Sequence, residues 1–159
     1  DLFAAARADY GVLLGALYAA GHYSGVISIR IDGREAAGIA PLDAPGRIAA
    51  MAVTVEPGPP FRLAGVRVEP LAPGTELPDG FAPGKPALSA VVRAAAAAGV
   101  NGWRAQGHAR AAVTGQVVTA NHRDATLSAE IRLDPGPRLR FGPLQVEGAA
   151  QVRAARIVT

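Results

Sequence analysis

The chain has 159 residues, half of them apolar and 18% charged, a balance that can build a core and is not that of a disordered segment. Fifteen of the sixteen basic residues are Arg, scattered and often set beside acids, as in Arg7 with Asp9, Arg34 with Glu35 and Arg123 with Asp124. The net charge of +3 therefore reads as a solvated surface and not as a nucleic-acid stripe. The absence of cysteine excludes disulfides, thiolate metal sites and Cys nucleophiles, and no run reaches the roughly eighteen apolar residues of a membrane span.

Asp1 opens on what reads as the interior of a helix, with no signal peptide ahead of it, so a piece of a longer protein is expected. Ala6, Tyr10, Leu13, Leu17 and Tyr18 recur at helical spacing, and Gly21 ends this helix as a residue that tolerates left-handed geometry. A strand over Val26–Ile31 follows, with Asp32-Gly33 as a hairpin-turn signal. Residues 34–46, with Pro41 and Pro45, read as a long loop, after which residues 48–55 return to pair with the strand. Pro57-Gly58-Pro59 breaks that sheet and residues 61–69 begin a new strand, because proline removes ladder donors and glycine permits the turn.

A helical segment is expected next, and then a helix striped by Leu88, Val92, Ala95, Gly99 and Trp103, started by Pro86 or Ser89 and closed by Gly107. Gly99 and Gly102 each cost this helix about 1 kcal/mol against Ala, and close packing on a sheet would justify at least one of them. Trp103 reads as core and not as a ligand platform, and the alanine run as a thin packing face. A second hairpin joins residues 112–120 to 126–133, where Leu127, Ala129, Ile131 and Leu133 alternate with Ser128, Glu130 and Arg132. Pro135-Gly136-Pro137 then breaks this sheet too, and residues 140–147 begin another strand.

These elements form a repeat. "VEPGPPFRLAGVRVEP" starts at Val55 and "LDPGPRLRFGPLQVEG" at Leu133, an offset of 78 set by Pro135 against Pro57. The helix ends match as well, Gly21-His22 against Gly107-His108 at an offset of 86, so the first copy carries eight extra residues within 34–46. Each Pro-Gly-Pro is thus expected to be a joint between modules, with restricted motion. One complete module spans about 61–133 and should place two helices on one face of a three-stranded sheet. The flanking pieces need further sequence or a partner to bury their apolar faces.

A strand–helix–helix–strand–strand module whose helix ends in Gly-His before a hairpin resembles the POTRA (polypeptide-transport-associated) domain. The strings "GALYAAGHYSGVISIRIDGREA", "APLDAPGRI", "VEPGPPFRLAGVRV", "GWRAQGHARA" and "LDPGPRLRFGPLQVEG" look most like the TamA (translocation and assembly module) branch. The resemblance implies an α+β chain of tandem POTRA modules, each a three-stranded mixed sheet with two helices on one face. Residues 1–60 would be the back part of a first domain, 61–137 a complete second and 138–159 the start of a third.

The implied role is a periplasmic binding arm of an outer-membrane protein or autotransporter assembly factor, carried by a C-terminal barrel absent from this chain. Its partners would be unfolded outer-membrane or autotransporter proteins and a periplasmic or inner-membrane protein such as a TamB-like one. By the family pattern the first hairpin strand lies at the sheet edge and takes up client strands. That points to Val113, Thr114, Gly115, Gln116, Val117, Val118 and Thr119 in the complete module, and to residues 26–32 in the first. Strand addition makes little demand on client sequence, as a handler of many barrel strands requires.

No catalytic residue, metal or cofactor is expected. His22 and His108 occupy equivalent repeat positions and read as capping or packing residues, while His122 sits in the turn "ANHRDA" and reads as exposed. No acidic cluster stands at metal spacing beside them. Ser24, Ser28, Ser89 and Ser128 lack a nucleophile-elbow context, and neither "GVNG" nor "GIAPLDAPG" is a phosphate-binding loop. Two alternatives stay open: a BamA-like core assembly factor, and a small α/β enzyme domain with its site on the 34–46 loop.

Overall fold

The computed structural model describes residues 2–40, 43, 46–140 and 142. The strand expected over 140–147, most of residues 138–159 and the loop prolines Pro41 and Pro45 lie outside the described residues. Two three-stranded sheets follow one another along the chain. Helix α1 (Leu2–Ala19) precedes strands β1 (Val26–Ile31), β2 (Arg34–Glu35) and β3 (Met51–Glu56), which pair antiparallel in the order β2-β1-β3. The second unit runs β4 (Arg62–Glu69), α2 (Ser89–Ala105), β5 (Ala112–Asn121) and β6 (Thr126–Asp134). Its order is β4-β6-β5, with β4 parallel and β5 antiparallel to the central β6. The chain is thus α+β, as expected.

The second core forms where the two periodicities meet. Leu127, Ala129, Ile131 and Leu133 alternate along β6 and are all buried, together with Phe61, Leu63 and Val68 at and along β4. Val92, Ala95 and Gly99 are the buried stripe of α2 that lies on them. Gly99 is required by this approach: a Cβ there would stand 2.6 Å from Leu133 Cδ1 and 3.0 Å from Val68 Cγ1. Trp103 is half-buried one turn on, where its indole N–H donates to the Pro70 carbonyl at 2.8 Å. The expectation that it serves the core is met.

Two details differ from expectation. Between β4 and α2 there is no second helix: residues 70–88 run as turns and extended chain. Five prolines (70, 73, 78, 83 and 86) and three glycines (74, 80 and 84) interrupt every helical turn that could form there. The segment still contributes to the core through Ala72, Phe81 and Ala87. The first sheet is wholly antiparallel and not mixed, because its third strand is the two-residue β2, supplied by the eight-residue insertion.

Both helices stop in the same way. Gly21 and Gly107 take left-handed conformations, with φ of 83° and 91°. The next N–H reaches back five residues, His22 to the Leu17 carbonyl at 2.8 Å and His108 to the Trp103 carbonyl at 3.1 Å. This is a Schellman ending, in which glycine avoids the Cβ penalty of left-handed geometry.

Helical glycines of opposite surroundings give a test of sign. Gly15 is exposed within α1 with nothing near its absent Cβ, so Gly15→Ala should raise stability by about 0.5–1 kcal/mol. Gly99→Ala should lower stability despite the same propensity gain, because overpacking costs about 1–3 kcal/mol. Urea unfolding of both variants reads the two signs.

Candidate interaction edge

Pro57-Gly58-Pro59 lies between β3 and β4, so the strands it joins belong to different sheets. The connection is tied to the end of α1 at two points. The Phe61 N–H donates to the Gly21 carbonyl at 2.8 Å, and His22 Nδ1 lies 2.9 Å from the Gly58 carbonyl oxygen. A carbonyl only accepts, so the ring nitrogen donates. The second copy repeats both bonds: Leu139 N–H to the Gly107 carbonyl at 2.9 Å, and His108 Nδ1 to the Gly136 carbonyl at 2.8 Å. Gly58 and Gly136 both have positive φ, 69° and 64°, which aims their carbonyls at the imidazoles. The two histidines are thus clamps between a helix end and the Pro-Gly-Pro segment that follows its hairpin.

An aromatic run fastens the two units further. Tyr18 stacks on Tyr23 at 4.8 Å, Tyr23 meets Phe61 edge-on at 5.5 Å, and Phe61 meets His122 at 5.7 Å. His122 is exposed, as expected, and it also lies 3.0 Å from Ser24 Oγ, so the tip of the β5–β6 hairpin touches the loop after α1.

The two hairpins present very different edges. In the first, β1 is the middle strand and not the edge expected for residues 26–32. Arg30 and Ile31 pair with Glu35 and Arg34 of β2. Ahead of them, the Ile29 N–H is taken by Tyr10 Oη at 3.2 Å and Glu35 Oε1 at 3.1 Å. Glu35 also accepts from Ser28 Oγ at 2.7 Å and from Tyr10. The Ser28 bond foremost, with Tyr10 and the Ile29 N–H, holds the Glu35 carboxyl below its ordinary range. Burial and the bond to Glu35 push the Tyr10 phenol up. Ala36 and Ile39 of the insertion then close over Ile29 and Ile31 as one buried cluster. The described part of the 34–46 loop is therefore a cover on β1, with Glu35 bonded to the Ile29 N–H, Ser28 and Tyr10.

In the second hairpin nothing comparable follows β5, and Val113, Thr114, Gly115, Gln116, Val117, Val118 and Thr119 lie along the outer edge of the sheet. Every residue of β5 is exposed or half-buried. Gln116, Val118 and Ala120 oppose Ile131, Ala129 and Leu127, so they share the face that carries the core. Ala120 is half-buried against the core, yet Gln116 is exposed and Val118 remains 43% exposed. A cavity of about 510 Å³ fills the gap, walled by α2 on one side, by β5 on the other and by Tyr18 and Tyr23 of the first unit at its end. Gly115 pairs opposite Arg132 just past a register shift in the β5–β6 ladder.

The sequence pointed to β5 but missed Tyr18, Tyr23, Arg93 and His122. A signal was present in the repeat: at the offset of 86, Tyr18 and Tyr23 correspond to Arg104 and Ala109. Positions that break a repeat mark what one copy does and the other does not. Among the described residues no three metal-ligating side chains stand together, and no helix is long and apolar enough to cross a membrane.

No protein-family model and no curated protein matches this sequence. Among solved structures, the POTRA3–5 segment of BamA from Haemophilus influenzae aligns over 96% of this chain with a TM-score of 0.55 and 16% identity. The chain spans 58% of that segment. The POTRA4 domain of the same protein aligns over 51% of this chain and 98% of its own length, at 17% identity and a TM-score of 0.43. At such identities the similarity concerns the fold: two helices and two three-stranded sheets in a POTRA-like arrangement.

The clamp and the cover each give an expected outcome. His22→Ala should destabilise the junction by about 0.5–1.5 kcal/mol and shift the amide resonances of Gly58 and Phe61, leaving β6 unchanged. Glu35 titrates below its ordinary value of 4.5, so its stabilising effect is complete above that pH and is lost as pH falls through the lowered value. Thermal unfolding in mild acid should therefore fall less steeply for Glu35→Gln than for the parent.

Proposed function

We propose that the chain is part of the periplasmic arm of an outer-membrane assembly factor and binds unfolded barrel proteins by adding their strands to β5. The observation that carries this reading is the contrast between the hairpins. The repeat builds two equivalent strands, β1 and β5; an insertion covers the first, and the second keeps an open row of backbone donors and acceptors. An exposed strand edge is a pairing template, and proteins blunt such edges unless they use them. The POTRA-like fold supports the periplasmic setting, and a C-terminal barrel would anchor the parent in the outer membrane.

The finer assignment rests on sequence strings: those around the Gly-His helix ends and Pro-Gly-Pro joints favour the TamA branch, with autotransporter clients and a TamB-like partner. The BamA-like reading is its rival. In either case residues 1–60 would be the back of one module, 61–137 a whole one, and 138–159 the start of a third. The repeat supports this division. At the offset of 78, β3 corresponds to the end of β6, whose other edge holds β4 in parallel. The matching edge of β3 is open, with Met51, Val53 and Val55 exposed, and a preceding strand would seat there.

The test uses an extended peptide from a barrel strand, N-methylated at one position at a time. Peptide N–H groups that face β5 alternate along the strand, so affinity should fall at every second position, by about 1 kcal/mol or roughly fivefold each. Amide shifts should map to Val113 through Thr119. Uniform tolerance of N-methylation, or shifts confined elsewhere, would refute strand addition.

A further inference from the structure

We infer that the cavity between α2, β5 and the first unit is an anchor pocket for an aromatic side chain of the added strand, read together with a nearby carboxylate. This rests on strand addition at β5 and goes beyond it, because backbone pairing alone selects no side chain.

The pocket adjoins the edge in a way that couples the two. Gln116, Val118 and Ala120 lie on one face of β5 and line the cavity, so a strand paired outside β5 places alternate side chains on that same face. Its far wall is Val92 and Arg93 of α2, and its end is the stacked pair of Tyr18 and Tyr23. A side chain entering here meets aliphatic groups from two directions and tyrosine rings from a third. Aromatic rings gain from such offset or edge contacts beyond their area, so a Phe, Tyr or Trp fits the surroundings better than a small aliphatic residue. At about 510 Å³ the space also admits a neighbour two positions along the strand.

Charge supplies the second half of the inference. Arg93 is the only Lys, Arg, Asp or Glu among the lining residues. Its described contact is a bond to Ser89 Oγ at 3.3 Å, and the sole ion pair among the described residues is Arg67 with Glu69, elsewhere on the surface. Arg93 and Tyr23 line the same cavity; burial, foremost, pushes the Tyr23 phenol up and the Arg93 charge opposes this. A carboxylate beside the aromatic residue is the complement, and a guanidinium suits its two oxygens.

The pocket draws its end wall from the first unit and the rest of its lining from the second. Tyr18 and Tyr23 come from the end of α1, held against the second unit by Gly21, Phe61 and His122. The joint thus fixes the selectivity of the edge that follows it.

The experiment titrates the full chain with four extended peptides of one sequence, carrying Phe or Ala at one position and Asp or Asn two positions away. Expected is a loss of at least about tenfold for Phe→Ala, the effect of withholding a buried aromatic side chain. A smaller loss should accompany Asp→Asn. Arg93→Gln should abolish the Asp preference without altering the Phe preference, and Tyr23→Ala should shrink the Phe preference, each read as a double-mutant cycle. Because the selectivity is measured between peptides on one protein, a general weakening of Tyr23→Ala by a disturbed junction does not imitate it. If all four peptides bind alike while N-methylation still acts at alternate positions, the pocket is refuted and strand addition stands. If no peptide binds, both fail. If N-acetylphenylalanine amide binds as tightly as the Phe peptide, the cavity is a small-molecule site and this inference is overturned.

Discussion

The arrangement depends on a short backbone tie at each helix end. A glycine in left-handed geometry turns the chain out of the helix and offers its carbonyl to a residue just past the joint, Phe61 for Gly21 and Leu139 for Gly107. The following histidine reaches the glycine carbonyl of Pro-Gly-Pro. Proline cannot donate, so the segment has few backbone groups with which to hold itself. Its position must come from outside, and the helix end provides it. Because Phe61 is both the tied residue and the first buried side chain of the second core, the joint and that core form together.

From that tie follows the contrast between the two units. The same motif, written twice, sets down equivalent hairpins, and their fates are decided by what surrounds them. Eight extra residues give the first hairpin its own edge strand and a cover: Glu35 and Tyr10 occupy the Ile29 N–H, and Ala36 and Ile39 bury the face. The second hairpin lacks the insertion, and its helix lies over β4 and β6. One inward face of β5 is left to be finished by something else. A repeat protein can in this way keep two copies of a scaffold and expose only one of them.

The stretch between β4 and α2 illustrates how composition overrides an expected element. A helical segment is expected there, but prolines and glycines at near-regular intervals leave no four consecutive residues able to close a turn. The chain still buries Ala72, Phe81 and Ala87, because apolar side chains can reach a core from irregular backbone when its polar groups find partners. The Leu63 carbonyl takes the Gly84 N–H and the Leu63 N–H meets the Lys85 carbonyl, which pins the segment to β4.

The α+β class, the repeat, the two hairpins and the helix-ending glycines are legible in the residues alone. Each of these is written in local periodicity or in a residue with one conformational use. The sequence also placed residues 113–119 in the first strand of the second hairpin, since alternation and turn signals fix hairpins over short range. That β1 is enclosed and β5 open emerges only in the folded chain. That depends on an insertion folding across a strand, and no periodicity records it. The partners of His22 and His108 were equally hidden: a histidine and a glycine carbonyl 36 residues apart meet only after the hairpin between them has closed. The pocket lies at the far end of this scale. Tyr18, Tyr23, Arg93 and Val118 come from two units and three separate segments, so the tyrosines meet the other two only once the joint has set one unit against the next.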